Sequence, residues 1–308
     1  MQKIIRIGTR ESQLAVWQAN EVKRLLEIEG FDAELVFIKS EGDIDLQTPL
    51  YEMGVQGVFT RSLDIALLNN KIDIAVHSMK DVPTVLPVGL IQAAVLERAS
   101  QKDLLVFKSN TDFLDDLNST AVIATSSIRR KSQWLNRYPH HIIENIRGNV
   151  NTRLQKLQEQ NWDAAIFAVA GLERIGIRPE KAIDLNWMLP APAQGAIMVI
   201  SRMNDNYILE AAATINNSAT ATCTKIERDF LRRLLGGCST PISAFAEIKD
   251  DCILFKGNIL SLDGKEKAEI EMVEPLTSSI QFLGIKAAEK LLENGGEAIA
   301  QKIRNTAK

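Results

Sequence analysis

The sequence predicts an α/β protein with a smaller α+β unit at its C-terminal end, and three observations carry the prediction. Apolar strand-like runs alternate with segments of helical spacing through the first half of the chain, the pattern of βαβ units and parallel sheets. Two stretches begin alike: Ile7-Gly8-Thr9-Arg10-Glu11-Ser12 and Ile123-Ala124-Thr125-Ser126-Ser127 each read as a strand, a hydroxyl-rich turn and the start of a helix. After about residue 220 the order becomes helix, three strand-like runs, helix, an α+β arrangement long enough to fold as one unit.

The elements follow in order. Ile4 to Ile7 is a short apolar run. From Ser12 on, Leu14, Trp17, Val22, Leu25 and Ile28 recur near helical spacing, with Gly30 as the stop. Leu35 to Ile38 gives the next strand. Residues 41–57, rich in Gly, Asp and Pro, predict a mobile loop. Leu63, Ala66 and Leu67 suggest a helix, and Ile72 to Val76 a buried strand. A second unit begins after about residue 100, with strand Ala121 to Ala124, helix Ser127 to Arg137, strand Ile142 to Ile146, helix 150–159 and strand Ala164 to Ala168. In the last unit a helix over 220–235 places Ile226, Phe230, Leu231 and Leu234 on one face. Strands follow at 242–248, 252–262 and 267–273, and a final helix over about 276–293 ends at Asn294-Gly295-Gly296.

Composition narrows the function. Of 308 residues, 36 are Lys or Arg and 39 Asp or Glu, a net charge of -3. No global positive field exists to hold nucleic acid by counterion release, so none is expected as a partner. The longest apolar run, Ala164 to Leu172, is too short to cross a bilayer. Met1 to Arg6 reaches charge at once, so no signal peptide and a cytoplasmic location are expected. The three cysteines, Cys223, Cys238 and Cys252, form no close pair, and only three histidines are present, which argues against a disulfide framework and against a metal site.

Each of the two strand–turn–helix starts offers unpaired helix N–H groups and a positive dipole end, a place for an anion. Plain N-capping by Ser and Thr explains either turn taken alone. Arg10 lies in the first turn, and Arg129 and Arg130 follow the second. Arg147, Arg153 and Arg174 extend the set, with Arg147 beside Gly148 at a strand end. Arginine forks match carboxylates and stay charged when desolvated, so this concentration in an acidic chain suggests a polycarboxylate or phosphate ligand, against a solvated charged face. Ala75 to Pro83 leaves an apolar strand through Ser78 and reaches Lys80 and Asp81 side by side, a functional pair or a structural ion pair. Gly236-Gly237-Cys238-Ser239 follows a helix directly, which would leave Cys238 on an accessible loop with no activating base nearby in sequence; a buried small hydrophobe is the plainer explanation.

These residues carry a resemblance. Arg10 to Ala15, Ala75 to Pro83, Thr125 to Arg130, Ile146 to Leu154, Ala168 to Leu172, Gln194-Gly195-Ala196 and Gly236-Gly237-Cys238 are similar, in order and over nearly the whole chain, to the porphobilinogen deaminase (hydroxymethylbilane synthase) family. The resemblance implies two type II periplasmic-binding-protein-like lobes with mixed, mostly parallel sheets, residues 1–98 with 196–215 and residues 99–195. A third, α+β domain over 216–308 carries the cofactor cysteine. It implies a transferase of haem and tetrapyrrole biosynthesis that condenses four porphobilinogen molecules head to tail, releasing ammonia, to give hydroxymethylbilane. Cys238 would hold a dipyrromethane cofactor through a thioether. Asp81 would be the catalytic carboxylate. Lys80, Ser78, Thr125, Ser126, Ser127, Arg129, Arg130, Arg147 and Gly148 would hold the cofactor, and Arg10, Ser12, Arg147, Arg153, Arg174 and Gln194 the substrate. A monomer is the expected state.

The chain departs from the family pattern at Glu41 and Gln56, where basic residues are usual, at Ala193, where glycine is usual, and at Ile200 and Leu235, where glutamate is usual. Two other readings remain at this point: a two-lobed binding protein for a small polycarboxylate, which leaves Cys238 and the third domain without a purpose, and a divergent relative with impaired elongation.

Overall fold

The computed structural model describes residues 3–39, 60–116, 118–234, 240–276 and 278–306. The expected loop over 41–57, with Glu41 and Gln56, and the stretch containing Leu235 and Cys238 lie outside the described residues.

The first lobe starts with β1 (Ile5–Thr9), α1 (Gln13–Ile28), β2 (Ala33–Phe37), α2 (Arg61–Leu68), β3 (Ile74–Ser78) and β4 (Leu90–Val95). Ser12 caps α1 by accepting the Ala15 N–H, one of the donors that a helix start leaves without a partner. Gly30, at φ +84°, turns the chain out of the helix in a conformation that a side chain would strain. Val22 and Leu26 of α1 pack on Ile5, Ile7, Ile74 and Val76. Leu63 and Leu67 of α2 pack on Ala75 and Met79 from the other side. Burial on both faces is why β3 reads as a nearly continuous apolar run.

The chain then crosses into the second lobe: β5 (Asp103–Phe107), β6 (Val122–Ala124), α3 (Ile128–Arg137), β7 (Ile142–Glu144), α4 (Val150–Glu159), β8 (Ala164–Ala168), α5 (Val169–Glu173) and β9 (Ala182–Asp184). It returns to the first sheet as β10 (Ile197–Arg202), followed by α6 (Asn206–Thr214). The strand orders are β2-β1-β3-β10-β4 and β7-β6-β8-β5-β9. Matching them position by position pairs β1 with β6 and β3 with β8, so the strand–turn–helix similarity in the sequence belongs to a repeat of the whole lobe. The sheets are mixed and mostly parallel, as expected: in each, four strands run one way and a single strand, β10 or β5, runs against them. The reason is that β10 and β5 are crossing strands. Each enters its sheet from the opposite direction, beside strands laid down by βα units.

The third domain comprises α7 (Ser218–Leu234), the antiparallel strands β11 (Ile242–Lys249), β12 (Cys252–Leu260) and β13 (Lys267–Pro275), then α8 (Leu283–Leu291) and α9 (Glu297–Thr306). Ile226 and Phe230 of α7 join Ala244, Phe255 and Ala287 in its core. The Phe230 ring meets Phe255 edge-on at 5.1 Å, and only a glycine fits at Gly257, where a Cβ would lie 2.6 Å from Phe230. The single last helix expected from the sequence is two helices. The path breaks at Asn294 and Gly295, where φ reaches +95°, and resumes as α9.

The three parts meet where the chain crosses between lobes. The fully buried Glu227 of α7 accepts from Arg98 Nη1 at 2.6 Å and Nη2 at 3.1 Å. It also accepts the Ala193 N–H at 2.6 Å and the Ala246 N–H at 2.8 Å. Arg98 Nε donates to the Gln194 carbonyl at 2.8 Å. One carboxylate thus holds both crossing segments to the third domain, its charge matched by a bidentate guanidinium. Ala193 has φ +62°, a backbone conformation that strains alanine. Ile200 is buried in the apolar layer with Ala75 and Met198, which accounts for an isoleucine there.

Candidate functional site

The site is built where βα strands end. Directly after β3, Met79–Asp81 forms one turn of 3-10 helix, with Met79 buried, Lys80 half-buried and Asp81 exposed. Ser78 is fixed from α1: Gln18 Nε2 donates to its Oγ at 2.9 Å. Lys80 Nζ donates to Gln194 Oε1 at 3.3 Å, and Gln194 Nε2 donates to Asp103 Oδ1 at 2.9 Å and the Gln101 carbonyl at 2.7 Å. Asp103 heads β5 and is completely buried. It pairs ionically with Arg129, whose Nη1 lies 2.7 Å from its Oδ2, and its Oδ1 accepts Arg130 Nη2 at 2.7 Å. A continuous polar path, Lys80–Gln194–Asp103–Arg129 and Arg130, therefore joins the two lobes.

The second lobe's turns are shaped by their own hydroxyls. Ser127 caps α3 by accepting the Arg130 N–H. Thr125 Oγ1 accepts the Ser127 N–H at 3.2 Å. Ser126 Oγ donates to the Ile146 carbonyl at 2.7 Å and accepts its N–H at 2.9 Å, pinning the end of β6 to the loop with Arg147. Gly148 adopts φ +114°, and a Cβ there would lie 2.7 Å from the Thr152 side chain. Its carbonyl accepts Arg153 Nε at 2.8 Å. The lobes touch again along α1: Asn151 Nδ2 donates to Gln13 Oε1 at 2.8 Å, and Arg174 lies over the Trp17 ring while donating to the Gly195 carbonyl at 2.6 Å.

The structure thus brings Lys80, Asp81, Arg129, Arg130, Arg147 and Arg153 into one electrostatic neighbourhood. Burial, with the charge of Arg130 adding to it, pushes the Lys80 ammonium down to about 8. Burial pushes Arg153 down to about 10, with Arg130 adding to the push and Asp81 opposing it. Arg174 falls to about 10, again chiefly through burial. Burial would raise Asp103, but Arg129 and Arg130 outweigh it and hold that carboxyl below the usual range. Cations depressed in this way are short of counter-charge. A multiply charged anion entering beside them restores it, which is what a binding site for several carboxylates requires.

Several expected residues have more internal duties than the sequence suggests. The hydroxyls of Ser12, Ser78, Thr125, Ser126 and Ser127 shape turns or meet neighbours, so capping accounts for Ser12 and Ser127. Gln194 is buried, and its amide spans Lys80 and Asp103, a bridging place and not an open face. Arg129 and Arg130 commit donors to Asp103 and to the carbonyls of Leu189 and Ile166. Arg10 is half-buried in the first turn, and burial together with its charge pushes His77 down to about 3. Sequence reasoning missed Asp103, Gln18, Arg98 and Glu227. A signal existed for Asp103, the one charge heading the apolar run Leu104–Phe107, and for Glu227, an acid one residue from the apolar face of α7.

Comparison with known proteins settles the family. Residues 5–210 match the family described as porphobilinogen deaminase, dipyromethane cofactor binding domain. Residues 221–293 match porphobilinogen deaminase, C-terminal domain. The chain belongs to the porphobilinogen deaminase family. The porphobilinogen deaminase of Trichlorobacter lovleyi is 41% identical over 305 residues, 98% of this chain and 97% of that protein. That of Chlorobium phaeobacteroides is 39% identical over 313 residues, 99% of this chain and all of the relative. Porphobilinogen deaminases are transferases of tetrapyrrole biosynthesis, and the first match covers the Lys80–Asp81 turn and every arginine of the wall. The residues present fit a dipyrromethane and its carboxylates: Arg129 Nε is buried without a hydrogen-bond partner, and Lys80, Arg153 and Arg174 are cations short of counter-charge. Among the described residues no group of His, Cys, Asp and Glu is arranged to hold a metal ion, and no helix is long and apolar enough to cross a membrane.

Proposed function

We propose that this chain carries out the reaction of its family, joining four porphobilinogen molecules head to tail with loss of ammonia to give hydroxymethylbilane, and that Asp81 is the catalytic carboxylate. The observation that supports this reading most is the placement of Asp81: an exposed acid at the end of a buried strand, beside Lys80 and Arg153, in a neighbourhood otherwise dominated by desolvated cations.

Each substrate brings an acetate and a propionate, so each addition needs further cationic partners. Arg147, Arg153, Arg174 and Arg10 supply forks on the two sides of the cleft, and Lys80 and the Arg129–Arg130 pair take the innermost carboxylates. The bound dipyrromethane supplies the first carboxylates of the chain and the pyrrole carbon to which a substrate is joined. Loss of ammonia leaves the arriving substrate positively charged. A fixed carboxylate beside its pyrrole N–H stabilises that charge and accepts or returns a proton, whereas the surrounding arginines alone would oppose it.

The thioether anchor of the cofactor is assigned to Cys238 on the glycine-flanked motif. Cys223 supports the choice by contrast: burial pushes its thiol up to about 11, which keeps it protonated and inert. The test is intact mass. Wild-type protein should exceed its sequence mass by one dipyrrole. Cys238→Ser should not, while Cys223→Ser and Cys252→Ser should retain the added mass. An adduct that survives in Cys238→Ser overturns the anchor. A wild-type chain without any adduct, and without turnover of porphobilinogen, overturns the enzyme reading in favour of a polycarboxylate-binding protein.

A further inference from the structure

The turn that carries Lys80 and Asp81 is held from outside its own lobe. Its backbone presents three carbonyls, of Met79, Val82 and Pro83, toward α7 of the third domain. The guanidinium of Arg228 meets all three: Nη1 donates to Met79 at 3.3 Å and Val82 at 2.9 Å, and Nη2 donates to Pro83 at 2.6 Å. These carbonyls bracket the two charged residues. Within the first lobe the turn is held by the Val82 N–H closing back on Met79 at 3.2 Å, by the Met79 N–H donating to the Ala196 carbonyl at 3.0 Å and by the buried Met79 and Val82 side chains, while the carbonyls on its other side are met by Arg228. A planar fork that binds several carbonyls at once fixes both the position and the tilt of the turn, which the point charge of a lysine cannot do.

The neighbour of Arg228 in α7 is Glu227, which grips Arg98 and the Ala193 N–H at the crossing. Consecutive residues of one helix thus reach two different elements: the crossing segments and the turn after β3. The same helix runs to Leu234, just before the segment with Cys238.

We propose that Arg228 is a positioning residue: through the Met79, Val82 and Pro83 carbonyls it sets where Asp81 stands relative to the substrate. The proposal rests on the reading of Asp81 as the catalytic carboxylate. Arg228 touches no substrate; it acts by making the third domain the template for the turn. The reacting carboxylate and the element leading to the cofactor cysteine are then tied to a single rigid helix.

The experiment uses the cofactor-loaded enzyme, checked by intact mass, in the variants Arg228→Met, Arg228→Lys, Asp81→Asn and the double variant Asp81→Asn/Arg228→Met. A loosened turn misplaces a reacting group by a fraction of an ångström to an ångström, which is worth about ten- to a hundredfold in rate. We expect loaded Arg228→Met to lose about tenfold or more in kcat with KM moving less than about threefold, the signature of a contribution made in the transition state. Arg228→Lys, which keeps the charge and one donor direction, should recover part of that loss. The double variant should be no more than about twofold slower than Asp81→Asn, because both changes act through one carboxylate. Three results overturn the proposal: Arg228→Met within twofold of wild type, losses that multiply in the double variant, or a poorly folding Arg228→Met alongside an Arg228→Lys that works at the wild-type rate. If Asp81→Asn itself turns over at the wild-type rate, the reading of Asp81 falls first, a pattern distinct from the other three.

Discussion

The two lobes share one strand order but put their charges in different places. In the first lobe the turn after β1 carries Arg10 and Glu11 but the helix itself begins uncharged with Ser12, Gln13 and Leu14, and a second polar cluster comes after β3, as Lys80 and Asp81. In the second lobe the segment after β8, Val169–Glu173, has no charge until its last residue, and the charged residues sit instead at the start of α3, as Arg129 and Arg130 over the buried Asp103. The same scaffold therefore presents the carboxylate we propose as catalytic from one side and a buried cationic shelf from the other. The difference teaches that a βα turn specifies a location for chemistry and not its kind. The kind depends on which turn carries charge and on what is buried beneath it.

The sharpest way to break this division is at Asp81. Asp81→Asn keeps the size of the side chain and removes its charge. It should lower kcat by at least about a hundredfold, the lower range for a positioned acid–base group, with a much smaller change in KM. Asp81→Glu should retain more activity than the amide. Steady-state turnover on loaded protein measures both; a near-wild-type Asn variant would leave the first lobe without a reacting group.

On the opposite side, Arg130→Leu removes one of the two guanidiniums on a fully buried carboxylate. Breaking a buried pair costs about 3 kcal/mol, so this variant should unfold at lower denaturant concentration and carry less cofactor. Unchanged stability with unchanged adduct would show that Arg129 alone satisfies Asp103 and that the shelf is redundant.

A pH series compares the lobes more gently. Each holds one buried histidine in the neutral form. His77 in the first lobe is pushed down to about 3 by burial and by Arg10. In the second, burial lowers His141, and Trp134 Nε1 donates to its Nδ1 at 3.1 Å, a bond that imidazole nitrogen can accept only while unprotonated. Both folded values lie below the unfolded value of about 6.5, so the unfolded chain binds more protons at lower pH. Their contribution is complete above about pH 6.5 and is lost as pH falls, by up to about 1.4 kcal/mol per pH unit for each histidine. Denaturation between pH 7.5 and 5 should show this fall, and His77→Asn or His141→Asn should flatten it. A flat wild-type profile would contradict both assignments.

The smallest expected effect is at the crossing between the lobes. Ala193→Gly removes the strain of φ +62° and should raise stability by about 0.5–1 kcal/mol, less than the penalty of left-handed backbone because glycine also frees the unfolded chain. A lower melting temperature would mean that the alanine methyl, fully buried in its apolar layer, contributes more than the strain costs.

What the sequence made legible follows from range. Lys80, Asp81, Arg129 and Arg130 stand at strand ends and helix starts, so local pattern finds them. Asp103 needs its partners to be recognised, and they come from α3, more than twenty residues later. Gln18 looks like any polar residue of an amphipathic helix, but it faces Ser78. Glu227 is one acid in a charged stretch, and its inward direction appears only when Arg98 and Ala193 arrive from elsewhere in the chain. Strands β4, β5 and β10 escape the periodicity reading because short apolar runs without alternation suit a buried helix as well as a strand. The break at Gly295 was visible as a stop signal, but nothing local announces that α9 resumes after it.

The position of β10 bears on how the chain comes off the ribosome. It lies between β3 and β4 in the first sheet, yet it is made only after the entire second lobe. The lobe that begins first therefore completes last. Until residue 202 has emerged, β3 and β4 lack their shared neighbour, and the apolar edge of Ile74 to Val76 stands without its hydrogen-bonded partner. At about 5–20 residues per second this interval lasts on the order of several seconds, and through it the nascent chain holds an open sheet that only its own later segment can close.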